Sequence, residues 1–137
     1  MNSQTVFHVR RSWQQVRPQG PTVAALFYEN LFAAQPALRS LFKTDLEVQG
    51  GKLVAMLDAA VQALDDLPTL VPVLQRLGSR HAGYGVRDEH YAVVGAALLK
   101  TLSQGLGDAF TPAVRDAWVE LYDLVASTMT AAAREPA

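Results

Sequence analysis

The sequence contains no cysteine among its 137 residues, and this absence excludes several kinds of site. Without thiols there are no disulfides, no thiolate metal ligands and no cysteine nucleophile, as is typical of a reducing compartment. Lysine plus arginine number 12 against 13 aspartates plus glutamates, a formal net charge of −1, and no run of like charge stands out. Such a balance gives no indication of a nucleic-acid or anionic-membrane partner.

Long apolar runs and the common catalytic motifs are also missing. The longest apolar run, "AVVGAALL" at 92–99, is far shorter than the roughly 20 residues that a membrane-spanning helix needs. The opening "MNSQTVFHVRRSW" lacks the apolar core of a signal peptide. There is no phosphate-binding loop and no HExxH, and "GLGDAF" at 105–110 follows a helical pattern, unlike a dinucleotide fingerprint. We therefore expect a cytoplasmic protein.

What the sequence does contain is helical periodicity throughout, without strand-like alternation or internal repeats. Prolines and glycines separate predicted helices over 4–16, 21–34, 48–63, 68–81, 87–106 and 111–133, with a short helical turn over 36–42. Pro72 is expected to kink or restart its helix. The unequal lengths and the short segment over 36–42 do not fit a four-helix bundle, and they predict another all-α fold.

Two of the long helices carry apolar stripes at spacings of three and four, which predict buried faces. The stripes consist of Tyr91, Val94, Leu98 and Leu102, and of Val114, Trp118, Leu121 and Val125. Gly95 lies inside the predicted helix over 87–106, where glycine costs about 1 kcal/mol relative to alanine. Close approach of another helix, a flat ligand or chance would each account for it.

Three histidines remain as candidate metal or cofactor ligands: His8, His81 and His90. His8 and His90 favour surface or structural roles, the latter in the first turn of a predicted helix. His81 continues an apolar stripe that begins at Leu70, so its imidazole either suits the negative end of the helix or binds a ligand. No second ligand lies at the spacing that zinc requires, whereas a haem iron requires one axial histidine.

Five segments in order resemble those of bacterial single-domain globins, and the resemblance extends over about residues 5–130. They are "LFYENLFAAQPALRSLF" (26–42), "QGGKLVAML" (49–57), "LPTLVPVLQRLGSRHAGYGV" (67–86), "HYAVVGAALL" (90–99) and "AWVELY" (117–122). The sequence is most similar to Vitreoscilla-type and flavohaemoglobin globin domains and to the Hell's Gate type of methanotroph globin. The resemblance implies one globin domain over 1–137, a 3-on-3 helical sandwich around b-type haem (iron protoporphyrin IX), with a flexible tail from about 134.

The resemblance also implies a role for individual residues. His81 corresponds to the axial ligand of the haem iron, and Phe42 to the aromatic residue that packs on the haem face. Tyr28 and Gln49 correspond to the distal residues that donate hydrogen bonds to a bound ligand, and Leu53 to the apolar residue that crowds it. From the residues alone, Phe42 and Tyr28 are equally compatible with plain core positions, and Gln49 with an exposed helix start.

Two further positions concern the haem edge and the proximal histidine. Lys52 is implied to reach a haem propionate, and a solvated lysine is the alternative. Tyr91 matches a tyrosine that, together with a glutamate, polarises the proximal histidine in flavohaemoglobin-like globins. The position of that glutamate is occupied by Ala133, and Glu135 lies two residues away. We therefore expect weak polarisation of His81.

The implied function is reversible binding of O2, CO, NO and similar small ligands. Two buried donors at about 1–3 kcal/mol each would slow oxygen release by tens- to thousands-fold. This predicts nitric oxide dioxygenase activity that depends on a separate reductase; oxygen storage or supply is the alternative, and a sensor is a third. Gly50 and Gly51 directly follow Gln49 and weaken the predicted first turn of the helix, so the side-chain amide of Gln49 is expected to be loosely held. The expected state is a monomer or weak homodimer.

Overall fold

The computed structural model describes residues 1–43, 45–83 and 86–134, and these ranges contain helices and no strand. The α-helices are α1 (Ser3–Val16), α2 (Gly20–Ala34), α3 (Leu46–Gln62), α4 (Leu67–Gly83), α5 (Asp88–Leu106) and α6 (Pro112–Arg134). Short 3-10 helices span Arg17–Gln19, Pro36–Leu41 and Gly107–Ala109. The all-α prediction is confirmed. Across the described ranges, no helix combines the length and apolarity needed to span a membrane. The predicted flexible tail falls mostly on 135–137, outside the described residues.

The start of α3 differs from the prediction in a way that affects the candidate site. The Asp45 side chain accepts a hydrogen bond from the Glu47 amide at 2.7 Å and so caps the helix. The helix therefore begins at Leu46, two residues before the predicted start. As a result, the backbone N–H of Gln49 already donates a helical hydrogen bond to the carbonyl oxygen of Asp45, at 3.0 Å.

The helix that carries His81 is continuous. α4 runs from Leu67 to Gly83 through Pro72, so the predicted restart at Pro72 is wrong, and the helix extends two residues beyond His81. A proline inside a helix costs about 3 kcal/mol, because it removes one backbone hydrogen bond and crowds the preceding turn. Leu70 and Leu74, on either side of Pro72, are buried in the protein core. Burial of these side chains offsets the cost and keeps the helix intact.

The core consists of two apolar clusters that join all six α-helices. The larger lies among α1, α2, α3, α5 and α6 and contains the tilted pair Trp13 and Trp118, whose ring centroids are 6.2 Å apart. The smaller joins α3, α4 and α6 through Ala60, Leu70, Leu74 and Met129. Every residue of the two predicted stripes lies in or against these clusters, so the predicted buried faces are confirmed.

Hydrogen bonds attach the N-terminal part of the chain to α3, the helix that carries Gln49 and Leu53. Asp58 on α3 accepts a bond from Trp13 Nε1 at 2.9 Å and pairs with Arg17 at 3.0 Å. Arg10 donates to the backbone carbonyls of Val61, at 3.2 Å, and Gln62, at 2.9 Å, at the end of the same helix. These bonds satisfy carbonyls that a helix end leaves without intrahelical partners. They fix the C-terminal half of α3 against α1.

Gly95 is explained by the approach of α6. A Cβ atom on Gly95 would lie 2.6 Å from Cε2 of Tyr122, too close for any side chain. The ring of Tyr122 occupies that space, and its hydroxyl donates to the Tyr91 carbonyl at 2.5 Å. Of the three explanations that the sequence left open, close approach of another helix is the correct one.

Candidate haem site

His81 is half-buried on α4, and one of its ring nitrogens has a defined partner. Nδ1 lies 2.7 Å from the carbonyl oxygen of Leu77, one turn earlier in the same helix. Because a carbonyl oxygen only accepts, Nδ1 carries the proton and donates it. Nε2 is therefore the nitrogen with the lone pair that an iron ion requires. A neutral imidazole oriented by a hydrogen bond at its other nitrogen is the usual form of a histidine ligand.

Tyr91, the other residue predicted on this side, lies half-buried at the start of α5. It packs against the smaller core cluster, as does Leu77. Burial, and to a lesser degree the charge of Asp88, raises the pKa of the Tyr91 hydroxyl. The proposed part of Tyr91 in the haem pocket stays a prediction, although it shares an apolar cluster with the residue whose carbonyl holds His81.

The end of α6 carries an alanine at the position where the resemblance implies a glutamate. Ala133 is half-buried in the last turn of α6, and the adjacent Arg134 pairs with Asp88 at the start of α5. Glu135 lies outside the described residues. Nδ1 of His81 lies beside a neutral carbonyl, and weak polarisation of His81 stays a prediction.

Tyr28 and Phe42, the aromatic residues predicted for the distal side, come together in an aromatic cluster. Tyr28 is 5% exposed. Its ring meets that of Phe42 edge-on at a centroid distance of 5.4 Å and that of Phe27 at 5.3 Å, and it stacks on Phe32 at 6.0 Å. Burial raises the pKa of Tyr28 to about 12, so its hydroxyl remains protonated and able to donate at neutral pH.

The residue after Gln49 makes a close contact between α2 and α3. A Cβ on Gly50 would lie 2.9 Å from Cβ of Ala24 and 3.8 Å from Cε2 of Tyr28. A Cβ on Gly51 would meet nothing within 4 Å. Gly50 is thus held by packing, which corrects the interpretation that both glycines loosen this turn. Sequence reasoning missed this role because a close approach between two helices leaves no local pattern.

Leu53 borders an apolar cavity of about 60 Å³ between α2, α3, α5 and α6. The volume is enough for a small gas molecule, and a cavity with such a lining does not retain water. Its lining comprises Phe27, Leu53, Met56, Leu57, Ala60, Val94, Leu98, Trp118, Leu121, Tyr122 and Val125. Sequence reasoning did not identify the cavity, although several of these residues belong to the predicted stripes.

The remaining polar candidates lie elsewhere. Lys52 is exposed on α3, so its contact with a propionate stays a prediction. His90 Nδ1 accepts a hydrogen bond from the Arg87 amide at 3.0 Å and caps α5, which confirms its structural role. His8 lies on α1 with its ring against that of Phe7. Within the described ranges, no group of three His, Cys, Asp or Glu side chains could hold a metal ion.

These residues fit a haem group that takes one protein ligand. α4 packs mainly against α6, whereas α3 packs against α1 and α2. The proximal candidate, His81, and the distal candidates therefore belong to helices held by different neighbours. The donor set is a single oriented imidazole on one helix and a protonated phenol in an aromatic cluster on another. Such a set suits an iron ion that receives its other four nitrogens from a porphyrin.

Comparison with known proteins agrees with this geometry. The sequence profile described as Globin matches residues 25–129. Neuroglobin from Danio rerio is 33% identical over 136 residues, which cover 89% of this chain and 86% of that protein. The Flavohemoprotein of Bacillus subtilis (strain 168) is 28% identical over 129 residues, 92% of this chain but 32% of that protein. The chain thus spans about a third of the length of the flavohemoprotein.

Solved structures give the same fold. The crystal structure of a hexacoordinated heme protein from an anhydrobiotic tardigrade superposes with a TM-score of 0.88 at 21% sequence identity. The superposition covers 98% of this chain and 96% of that one. The predicted 3-on-3 globin sandwich is therefore confirmed. The chain belongs to the globin family, with b-type haem as its cofactor and small diatomic gases as its ligands.

Proposed function

We propose that this globin binds haem iron through Nε2 of His81 and uses bound oxygen to oxidise nitric oxide to nitrate. The observation that carries the proposal is Tyr28, a buried phenol that is packed against the rings of Phe32 and Phe42 and is protonated at neutral pH. Haem, when bound, supplies an iron atom that binds a diatomic gas and leaves partial negative charge on oxygen. A buried O–H donor stabilises such a charge strongly, because the surroundings have a low dielectric constant.

The other distal residues assist in this scheme. Gln49 supplies a second donor from α3, and Leu53 restricts the space around the ligand. The apolar cavity of about 60 Å³ beside Leu53 is large enough to admit a second gas molecule, as a reaction between two gases requires. Storage of one gas has no such requirement, so the cavity supports the enzymatic proposal.

The reaction needs an electron from outside the globin domain. The net change, NO + O2 + e⁻ → NO3⁻, consumes one electron per nitrate. The profile match accounts for residues 25–129, most of the chain, and a globin domain has no flavin of its own. We propose that a separate reductase supplies the electron. The bacterial single-domain subtype, a cytoplasmic location and a monomeric or weakly dimeric state belong to the same proposal, and the pair Tyr28 and Gln49 supports the subtype.

Oxygen storage or supply is the second candidate, and one observation favours it. The neutral carbonyl of Leu77 is a weaker acceptor for the proton on His81 Nδ1 than a carboxylate. Peroxidase-like chemistry benefits from a strongly polarised histidine, whereas reversible binding does not need one. The two candidate functions also differ in turnover: a dioxygenase uses the same iron repeatedly, whereas a storage protein binds and releases oxygen unchanged.

Repeated mixing with nitric oxide distinguishes the two functions. The haem-loaded, oxygenated protein is mixed with excess nitric oxide, oxygen and a reductant that regenerates ferrous iron, and nitrate is counted per haem. A dioxygenase forms many nitrates per haem, and Tyr28→Phe lowers the steady rate. A storage protein, whose ferric iron the reductant restores only slowly, forms about one nitrate per haem in the same time, and that result would remove the enzymatic proposal.

A further inference from the structure

The helix that carries His81 touches α6 through its backbone. Gly78 is buried on α4, three residues before His81. A Cβ there would lie 2.2 Å from the carbonyl oxygen of Met129, 2.6 Å from its Cα and 2.8 Å from its carbonyl carbon. Because these are backbone atoms of a helix, they cannot rotate away as the end of a flexible side chain can. Any residue larger than glycine must separate α4 from α6.

This contact involves the same peptide unit that orients the imidazole. The carbonyl of Leu77 and the amide nitrogen of Gly78 belong to one planar peptide group. The carbonyl oxygen of that group accepts the hydrogen bond from His81 Nδ1 at 2.7 Å. The backbone of Met129 therefore restrains, through Gly78, the acceptor that sets the direction of the ring.

Two neighbouring stripes of α4 have different roles: one packs against α6, and the other carries His81. Leu70, Leu74 and Gly78 recur every four residues, are buried, and face α6 at Met129. Leu77 and His81, also four residues apart, form the adjacent stripe. A shift of the first stripe away from α6 moves the second by a comparable distance, since a helix behaves as a rigid body over two turns.

We propose that Gly78 is a positioning residue for His81, and that its contact with the Met129 backbone fixes the height and the rotation of the imidazole. The inference rests on the proposed role of His81 as the iron ligand. It assigns the orientation of the ring to a contact between two helices, in addition to the hydrogen bond within α4. Gly78 has no contact with haem in this scheme and acts only through the Leu77 peptide.

The test compares Gly78→Ala with Gly83→Ala in the haem-loaded protein. Gly83 is the matched control, because it lies two residues beyond His81 on the same helix and a Cβ there meets nothing within 4 Å. The readouts are the iron–histidine stretching frequency of the ferrous form and the rate of haem transfer to an acceptor apoprotein. Gly78→Ala should broaden or shift the stretch and speed haem loss at least tenfold. Gly83→Ala should change the rate less than twofold.

The same Gly78→Ala substitution in a second parent protein, His81→Gly, shows whether Gly78 acts on the position of the imidazole or on the general stability of the fold. In His81→Gly supplied with imidazole, the iron ligand is no longer attached to α4. There, Gly78→Ala should change haem release less than twofold. An equally large effect in both backgrounds would overturn the proposal, because Gly78 would then act through fold stability alone. If His81→Gly without imidazole retains haem as wild type does, the ligand assignment itself fails, and that outcome does not depend on Gly78.

Two further measurements keep the proposal testable if Gly78→Ala does not fold. Met129→Ala removes the side chain and leaves the backbone contact, so the iron–histidine stretch should stay unchanged. A shift in this variant would show that side-chain packing, and not the backbone contact, orients the ring. In the wild-type carbon monoxide form, the proton on His81 Nδ1 should exchange with solvent slowly, and exchange at the rate of free imidazole would overturn the proposal.

Discussion

The ring of Tyr28 stacks on the ring of Phe32, with centroids 6.0 Å apart and planes inclined by 19°. The two residues are one helical turn apart on α2, and Phe42 closes against both rings edge-on, at 5.4 and 5.5 Å. A phenol held in this way has few rotamers to lose when it donates to a ligand. Tyr28, the proposed ligand donor, is thus preorganised, and we expect it to contribute more than Gln49, the second proposed donor.

This inequality predicts different effects on oxygen release. Tyr28→Phe should speed oxygen dissociation about tenfold or more, the effect expected for loss of one buried hydrogen bond of about 1.4 kcal/mol. Gln49→Ala should have a smaller effect on release and a larger one on ligand entry, because a glutamine side chain has more rotamers to lose than the packed Tyr28 ring when it bonds a ligand. Stopped-flow oxygen kinetics on both variants measures the difference.

Carbon monoxide provides the control for this comparison, since it carries little charge when bound. Its dissociation should change less than threefold in Tyr28→Phe, Gln49→Ala and the double variant, as an order-of-magnitude expectation for a ligand that gains little from a donor. If Gln49→Ala proves to have the larger effect on oxygen release, the amide is the main donor, and the importance assigned to the aromatic cluster is wrong.

Removal of the proposed iron ligand should abolish haem retention. His81→Gly deletes the imidazole from α4, and added imidazole should restore the Soret absorption of a histidine-ligated haem, because the free ring enters the space of the lost one. His8→Gly and His90→Gly serve as controls and should retain haem. Loss of haem in either control, with retention in His81→Gly, would place the ligand elsewhere.

The two adjacent glycines of α3 should respond in opposite directions. Gly51→Ala meets open space and should stabilise the protein by up to about 1 kcal/mol through helix propensity. Gly50→Ala places a methyl group 2.9 Å from Cβ of Ala24 and should destabilise it by about 1–3 kcal/mol through overpacking. Urea unfolding at a fixed haem concentration measures both. Equal stabilisation by both substitutions would contradict a close contact between α2 and α3.

Alkaline pH should weaken the fold through Tyr28. Its folded pKa, about 12, lies above the ordinary value of 10.0, so the folded state holds this proton more tightly than the unfolded state. The stabilisation is fully present below pH 10 and is lost as pH rises toward 12. A fully desolvated group would lose about 1.4 kcal/mol per pH unit, and solvent screening of the partly accessible hydroxyl lowers the total loss to on the order of 1 kcal/mol.

Urea unfolding at pH 9 and pH 11 checks this dependence. Tyr28→Phe should lose less stability than wild type between the two values, because phenylalanine does not titrate. Tyr91 and Tyr122, whose pKa values burial also raises, should leave a residual loss in the variant. An unchanged slope in Tyr28→Phe would show that the hydroxyl of Tyr28 is not held in a desolvated site.

The order of helices and the position of His81 were accessible from the sequence, because they depend on local signals. Spacings of three and four marked the buried faces, and prolines and glycines marked most helix ends to within two residues. His81 was identifiable as the end of an apolar stripe, and the carbonyl that the structure shows beside its Nδ1 is that of Leu77, one helical turn earlier. The resemblance to globins supplied the distal residues, which periodicity alone left as core or surface positions.

The tertiary structure decided what depends on contacts between distant segments. It kept α4 continuous through Pro72, because Leu70 and Leu74 are buried in the core on either side. It showed why glycine stands at 50, 78 and 95, where a neighbouring helix or ring occupies the space of a side chain. It also formed the cavity behind Leu53 from four helices. A sequence records which side chains a helix presents, whereas the distance between two helices depends on how all of their side chains pack together.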